Sequence, residues 1–169
     1  MATLTQSEQR QIDGVIQDLS LRLGLAYPEV DLLEIAKSAG IAVYEVNLNV
    51  IRTDLSGVIE YDDDKKKVNP RIYIHDSLSD ERKRFTLAHE LGHHFLHVGR
   101  KLRLDTLDYN EKDTKEETEA NYFAASLLVP KNLLTYRMNQ GDGISQLAAY
   151  FKVSRSVIQN RINWIKVNT

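Results

Sequence analysis

The 169-residue sequence contains no cysteine. This absence excludes a disulfide-stabilised scaffold, a zinc site with thiolate ligands and a catalytic thiol, and it suits a reducing cytoplasm. The first 14 residues have neither a basic start nor a long apolar run, so no secretion signal is visible. No stretch is apolar enough to span a bilayer. We therefore expect a cytoplasmic protein without a membrane partner.

A strong charge imbalance is also missing, since the formal net charge is −2. This balance indicates no particular partner for the chain as a whole. A chain of this length fits one domain and can bury a hydrophobic core without covalent cross-links. We predict a single domain over residues 1–169.

The most informative motif that is present is the pentad His89-Glu90-Leu91-Gly92-His93, which has the form HExxH. On a helix, the two histidines stand one turn apart, so both rings can reach one tetrahedral Zn²⁺. Glu90 lies beside them and can take a proton from activated water as a general base. A histidine pair at this spacing also occurs on solvated helix surfaces. The hypothesis of a catalytic zinc site therefore needs a third ligand.

The pentad lies in a well-marked predicted helix. Ser79 is a typical N-cap residue, acidic side chains follow it, and Gly99 is placed to end the helix, which predicts residues 80–98. An apolar stripe along this segment indicates that the pentad is partly buried. Gly92 costs the helix about 1 kcal/mol relative to alanine, which suggests that another segment packs closely there.

A second predicted helix, from Glu116 to Val129, is the place to look for the third ligand. Carboxylate is a common third ligand beside two histidines. On a helical wheel Glu119 points off the apolar face, whereas Glu116 and Glu117 both lie at its edge, so spacing does not separate those two. Asn121 follows Glu117 by one turn and is placed to hydrogen-bond a ligand. An acidic first turn favoured by the helix dipole explains the same residues without a metal.

The remaining patterns predict an α+β fold. Helical spacing covers residues 5–23 and 30–36, and three short β-type runs follow at 41–48, 57–61 and 71–75. The charged segment 62–67 is typical of a solvated hairpin connection. We expect N-terminal helices, a small mixed or antiparallel sheet, the pentad helix, the second ligand helix and a C-terminal helical pair. The sequence predicts a loop over residues 100–115 and a short connection over residues 131–143.

Two further histidines are not expected to bind the metal. His97 lies about 12 Å along the axis from His89, too far to share an ion with both pentad histidines in a regular helix. His94 points to another face, and both are expected to be packing or surface residues. A metzincin site would need histidine at position 99, which is Gly99. Four side chains could supply an oxyanion donor, and the sequence does not choose among them: Tyr61, His75, Tyr109 and Tyr122.

Two blocks of sequence together resemble the ImmA/IrrE family of metallopeptidases. The first is Arg84–His93 with His97, the second runs from Glu117 to Pro130, and the resemblance extends from about Ile35 to Asn160. It implies one zinc ion bound by His89, His93 and Glu117, with Glu90 as the general base. It also implies cleavage of a helix-turn-helix repressor. Val129 stands where these proteins often have methionine, a change of volume too small to disturb the ligands.

The C-terminal segment 144–165 predicts a pair of helices similar to a DNA-binding helix-turn-helix. Lys152 stands at a turn position that usually prefers glycine. From Ile144 onwards the chain has basic residues and no acidic one, which permits a cationic surface. ImmA/IrrE proteins often carry a similar segment inside the peptidase domain, where it packs structurally or docks the repressor. The alternative function is thus a DNA- or repressor-binding regulator whose metal site is structural or vestigial.

Overall fold

The structure is a computed structural model that describes residues 3–97 and 114–167. Two helices begin the chain. Helix α1 (Gln6–Leu23) starts at the capping box of Thr5 and Glu8 and ends at Gly24, whose φ of 61° is left-handed. Helix α2 (Leu32–Ser38) is capped by Asp31, which accepts a hydrogen bond from the Glu34 amide. Gly40 (φ 69°) then turns the chain into the sheet.

The sheet is mixed and has three strands: β1 (Ala42–Val46), β2 (Gly57–Glu60) and β3 (Arg71–His75). Strand β3 lies in the middle, parallel to β1 and antiparallel to β2. The predicted hairpin connection between β2 and β3 is present, with a bridge between Asp63 and Val68. We gave a purely antiparallel sheet as the alternative to a mixed one, and that alternative prediction is wrong. Ile72 and Ile74 of the central strand β3 are buried.

Helix α3 (Asp80–Leu96) carries the pentad, and helix α4 (Lys115–Leu128) packs along it. Helix α3 also rests on β2 and β3, so it lies between the sheet and α4. It ends two residues before the predicted position. His97 follows it with an extended φ of −117°, and its ring hydrogen-bonds to His93 and Glu119. Gly99 and residues 100–113 of the predicted loop lie outside the described residues.

Three helices complete the chain: α5 (Lys131–Asn139), α6 (Ile144–Phe151) and α7 (Arg155–Val167). Helix α5 corrects the expectation of a short connection over residues 131–143. Leu134 is the single buried residue of α5, so the helix has only a weak apolar pattern in the sequence. Helices α6 and α7 form the predicted C-terminal pair. Lys152 between them has a φ of 54°, the conformation for which glycine is usually selected.

The buried apolar side chains of all these helices and of the sheet form one connected cluster. Phe123, Leu127 and Leu128 of α4 are almost completely buried within it, as is Leu91 of α3. The two helices that carry the candidate ligands therefore rest on the core. Within the described parts of the chain, no helix combines the length and apolar character needed to cross a membrane.

Candidate metal centre

Helices α3 and α4 come close enough for their polar side chains to meet. Gly92 makes this possible, because a Cβ atom there would lie 3.0 Å from Phe123 Cδ1 and 3.2 Å from both the Cα and the carbonyl oxygen of Ala120. The close packing expected at Gly92 is thus present, and the neighbour is α4. Any larger residue would push the two helices apart.

Three side chains converge where these helices face each other. Nε2 of His89 and Nε2 of His93 lie 3.0 Å apart, and each lies 3.1 Å from an oxygen of the Glu117 carboxylate. One ligand atom from each residue falls within 4.8 Å of the other two. The structure therefore brings together the three residues for which the sequence predicts a metal site. Glu116 is exposed and outside this cluster.

Asn121 lies where the sequence predicts it, beside a candidate ligand, although that ligand is a histidine. Its Oδ1 is 2.9 Å from Nδ1 of His89. A carboxamide oxygen accepts, so Nδ1 of His89 carries the proton and its Nε2 keeps a lone pair towards His93 and Glu117. This is the tautomer that a metal-binding histidine needs.

The electrostatics of the cluster favour positive charge at its centre. Burial alone would raise the pKa of Glu117, but hydrogen bonds and charge from His89 and His93 hold this pKa well below its usual range. Burial alone would lower the pKa of His89, whereas the Glu117 hydrogen bond and the charges of Glu90 and Glu117 raise it. A divalent cation would supply the positive charge that the cluster favours at its centre. Two imidazoles and one carboxylate are also a donor set that suits zinc.

Residues 36–163 match the peptidase family described as the IrrE N-terminal-like domain. The chain belongs to the ImmA/IrrE family of metallopeptidases. The metallopeptidase ImmA of Bacillus subtilis is 31% identical over 137 residues, which cover 73% of this chain and 76% of that protein.

Two other relatives match over shorter lengths. The radiation response metalloprotease IrrE of Deinococcus radiodurans is 35% identical over 92 residues, 50% of this chain and 28% of IrrE. Uncharacterized immunity region protein 2 of Bacillus phage phi105 is 36% identical over 111 residues, 61% of this chain and 65% of the phage protein. This ImmA/IrrE chain thus covers most of ImmA but less than a third of IrrE.

Glu90, the candidate base of this ImmA/IrrE protein, lies on the side of α3 that faces strand β2. The residue is 7% exposed and lines the same cleft as the three candidate ligands. Gly57 at the start of β2 is essential to this arrangement: a Cβ there would overlap the Thr86 methyl group and would lie 3.5 Å from Glu90 Cγ. Glu90 therefore sits in a narrow space between helix and strand, open to the cleft.

The cleft above the site has a volume of about 830 Å³. Its walls come from the segment before β2, from the first turns of α3 and, unexpectedly, from α7. The α7 residues on this wall are spaced along one helix face, and with Ser154 before the helix they are Ser156, Val157, Asn160, Asn163 and Trp164. The sequence indicates a helix here but not its orientation towards the metal site.

Three of the four candidate oxyanion donors point elsewhere. His75 is buried and hydrogen-bonds to Asn49 and Asp76, the Tyr61 hydroxyl lies 3.0 Å from Nδ1 of His94, and the Tyr122 hydroxyl donates to Asp13. None of the three lines the cleft. Tyr109 lies outside the described residues. Among the described residues, the cationic side chains that line the cleft are those of Arg52 and Arg82. Nothing in the surrounding sequence predicts these two residues as candidate oxyanion donors.

His94 and His97 differ in their surroundings. His94 stacks on Tyr61, and its pKa falls to about 4 because it is partly buried and lies near the Lys67 ammonium. His97 is 9% exposed, lies 3.0 Å from His93 and 2.8 Å from Glu119, and so contacts a candidate ligand. Neither histidine belongs to the three-residue cluster found among the described residues. The contact of His97 with His93 is a feature that the sequence reasoning missed.

Proposed function

We propose that this protein is a zinc-dependent endopeptidase with His89, His93 and Glu117 as metal ligands and Glu90 as general base. The observation that carries the proposal is the convergence of the three ligand atoms beside a buried glutamate at the base of a cleft. Family membership supports the same class of reaction. The cleft volume, about 830 Å³, falls in the range typical of ligand sites.

A bound zinc ion supplies Lewis-acid chemistry, since it polarises a carbonyl and lowers the pKa of water. The protein supplies the proton transfers. Glu90 takes a proton from the attacking water as the water oxygen bonds to the carbonyl carbon, and then gives that proton to the amide nitrogen as the C–N bond breaks. Its position between α3 and β2 holds the carboxylate in one orientation. Asn121 keeps His89 in the tautomer that binds metal.

We further propose that the substrate is a helix-turn-helix repressor in the cytoplasm. The sequence resemblance to ImmA/IrrE proteins supports this substrate class. The names of two relatives, a radiation response metalloprotease and a phage immunity region protein, are consistent with a regulatory substrate. Repressor docking would use the cleft wall formed by α7.

The alternative of a DNA-binding regulator is less well supported. Arg161 is 4% exposed and donates from Nε to the Val129 carbonyl, so its side chain is not on the surface. Lys152 forms an ion pair with Glu29. Several residues of α7 that a recognition helix would present to DNA instead line the cleft. We therefore keep DNA contact as the second candidate only, on the basis of the helical pair itself.

Cleavage of the repressor encoded beside this gene tests the proposal. The purified protein with zinc should produce one discrete cut, detected by mass spectrometry of the fragments. Glu90→Gln should keep stoichiometric zinc and lose at least about 100-fold in cleavage rate, because the amide cannot accept the proton. Glu116→Gln is the matched control, since it makes the same change at an exposed position outside the cluster. Full cleavage by Glu90→Gln would contradict the role given to Glu90.

A further inference from the structure

A chain of hydrogen bonds runs from the candidate metal site through His97 to Glu119 on α4. Nδ1 of His93 lies 3.0 Å from Nδ1 of His97, and Nε2 of His97 lies 2.8 Å from Oε2 of Glu119. His97 is 9% exposed, and the side chain of Glu119 is 20% exposed. The contact thus links the end of α3 to α4 in a largely buried place.

The partners decide which ring nitrogen of each histidine carries a proton. An ionised carboxylate only accepts, so Nε2 of His97 is the donor to Glu119. In a neutral ring, Nδ1 of His97 then has a lone pair and accepts from Nδ1–H of His93. Nε2 of His93 is left without a proton, and it is the atom that faces His89 and Glu117.

We propose that His97 and Glu119 are positioning residues that hold His93 in its metal-binding tautomer and fix the orientation of its ring. They act on His93 as Asn121 acts on His89, so each candidate histidine ligand has its own hydrogen-bond acceptor behind it. The inference rests on the proposed metal site. Neither residue belongs to the cluster of candidate ligands, which distinguishes this role from ligation.

The composition of the contact supports a role beyond packing. Burying an imidazole and a carboxylate costs desolvation free energy that an apolar side chain of similar size would not cost. The two polar groups compensate each other, and the second ring nitrogen of His97 is directed at His93. Loss of such an outer partner typically weakens metal binding by about 10–100-fold.

Zinc affinity of two His97 variants tests the proposal, measured by competition with a chromophoric chelator. Phenylalanine in His97→Phe fills the space but cannot accept a hydrogen bond, and we expect zinc binding about 10–100-fold weaker than in the wild type. Asparagine in His97→Asn places a carboxamide oxygen near the former Nδ1 and should recover most of the affinity. His94→Phe makes the same change at the next histidine, whose Nδ1 faces Tyr61, and should leave zinc affinity unchanged.

A second pair of variants tests the carboxylate. Glu119→Gln retains an acceptor for His97 but removes the charge, so zinc binding should weaken less than in His97→Phe. Glu116→Gln removes the same charge from an exposed position of the same helix and should have no effect. Nitrogen-15 NMR of the zinc-loaded wild type should show the His97 tautomer with its proton on Nε2, which a purely structural contact does not require.

The outcomes separate this inference from the proposed function. If the wild type binds no zinc, both fail. If the wild type binds zinc, loses it in His89→Ala and cleaves its substrate, the proposed function stands. In that case, equal zinc affinity of His97→Phe and the wild type would overturn the positioning role alone. The same conclusion follows if His97→Asn binds zinc no better than His97→Phe although both metal-free variants melt at the wild-type temperature.

Discussion

Gly92 has no side chain, and this property affects the geometry of the candidate metal site. It lies inside the HExxH pentad, but its contribution is the close approach of α3 to α4. Both atoms of Ala120 that approach it belong to the backbone of a buried helix. A backbone in the middle of a packed helix cannot move away at low cost, so the space at Gly92 cannot be enlarged locally.

Gly92→Ala should therefore destabilise the protein. Overpacking costs about 1–3 kcal/mol, and the better helix propensity of alanine returns about 1 kcal/mol, so we expect a net loss of up to about 2 kcal/mol in urea denaturation. Zinc affinity should fall as well, because Glu117 moves away from the histidines. Gly14→Ala in α1 is the control: nothing lies within 4 Å of its Cβ position, and alanine should stabilise the helix there. Unchanged stability of Gly92→Ala would show that α4 yields more easily than we infer.

Glu117 and Glu119 illustrate what residue-level reasoning could and could not predict. Both side chains leave α4 near its start. The helical wheel placed Glu119 off the apolar face, but its side chain is 20% exposed, close to the 18% of Glu117. The wheel left Glu116 and Glu117 undecided, and the resemblance to the family implied Glu117. Neither the helical wheel nor the resemblance could predict the contact between Glu119 and His97. The end of α3 and its distance from α4 depend on packing between segments far apart in sequence.

Among the elements, α7 has the most informative position. A helical pair with a positive φ at its turn resembles a DNA-binding unit, and the local sequence predicts both helices. The orientation of α7 is a tertiary property. Arg161 anchors it by a hydrogen bond to the Val129 carbonyl at the end of α4, and the adjacent face of α7 lines the cleft.

Trp164 gives a direct test of this orientation, because it is the only tryptophan and lines the cleft. Binding of the proposed repressor substrate to the Glu90→Gln variant should change the intrinsic fluorescence of Trp164. Duplex DNA at low salt should leave the fluorescence unchanged, and no salt-sensitive binding should be detected. A response to DNA that disappears with rising salt, with no response to the repressor, would favour the alternative function.

The sheet is a second element whose arrangement follows from the whole fold. Alternation and β-branched residues predict the three strands, and the charged turn predicts the β2–β3 hairpin. The parallel pairing of β1 with β3 joins segments about 30 residues apart in the chain, which local patterns do not report. The consequence for function is that β2 lies at the edge of the sheet, where Gly57 places it against Thr86 and Glu90.

For the whole molecule, the candidate metal site joins two long segments of the chain. The candidate ligands come from α3 and α4, and both helices rest on the common core. A cation bound at their junction should therefore stabilise the folded state and have little affinity for the unfolded chain. Binding free energy then adds directly to the free energy of unfolding.

Zinc should raise the melting temperature of the wild type. Free zinc at about 100 times its dissociation constant adds about 2.7 kcal/mol, which corresponds to a shift of about 5–11 °C for a chain of this size. A chelator should reverse the shift, as followed by calorimetry. His89→Ala should show no shift, whereas Glu116→Gln should behave like the wild type. An equal shift in His89→Ala would mean that zinc binds somewhere else.

The sequence by itself determined the strands, the helices other than α5, and the chemistry available to this protein. These depend on local patterns: caps, apolar periodicity, and two histidines one turn apart beside a glutamate. Only the tertiary structure decided which acidic residue lies beside the histidines, that His97 contacts His93, and that α7 faces the cleft. Those contacts join residues far apart in the chain, and they depend on how the helices pack against one another and not on any single segment.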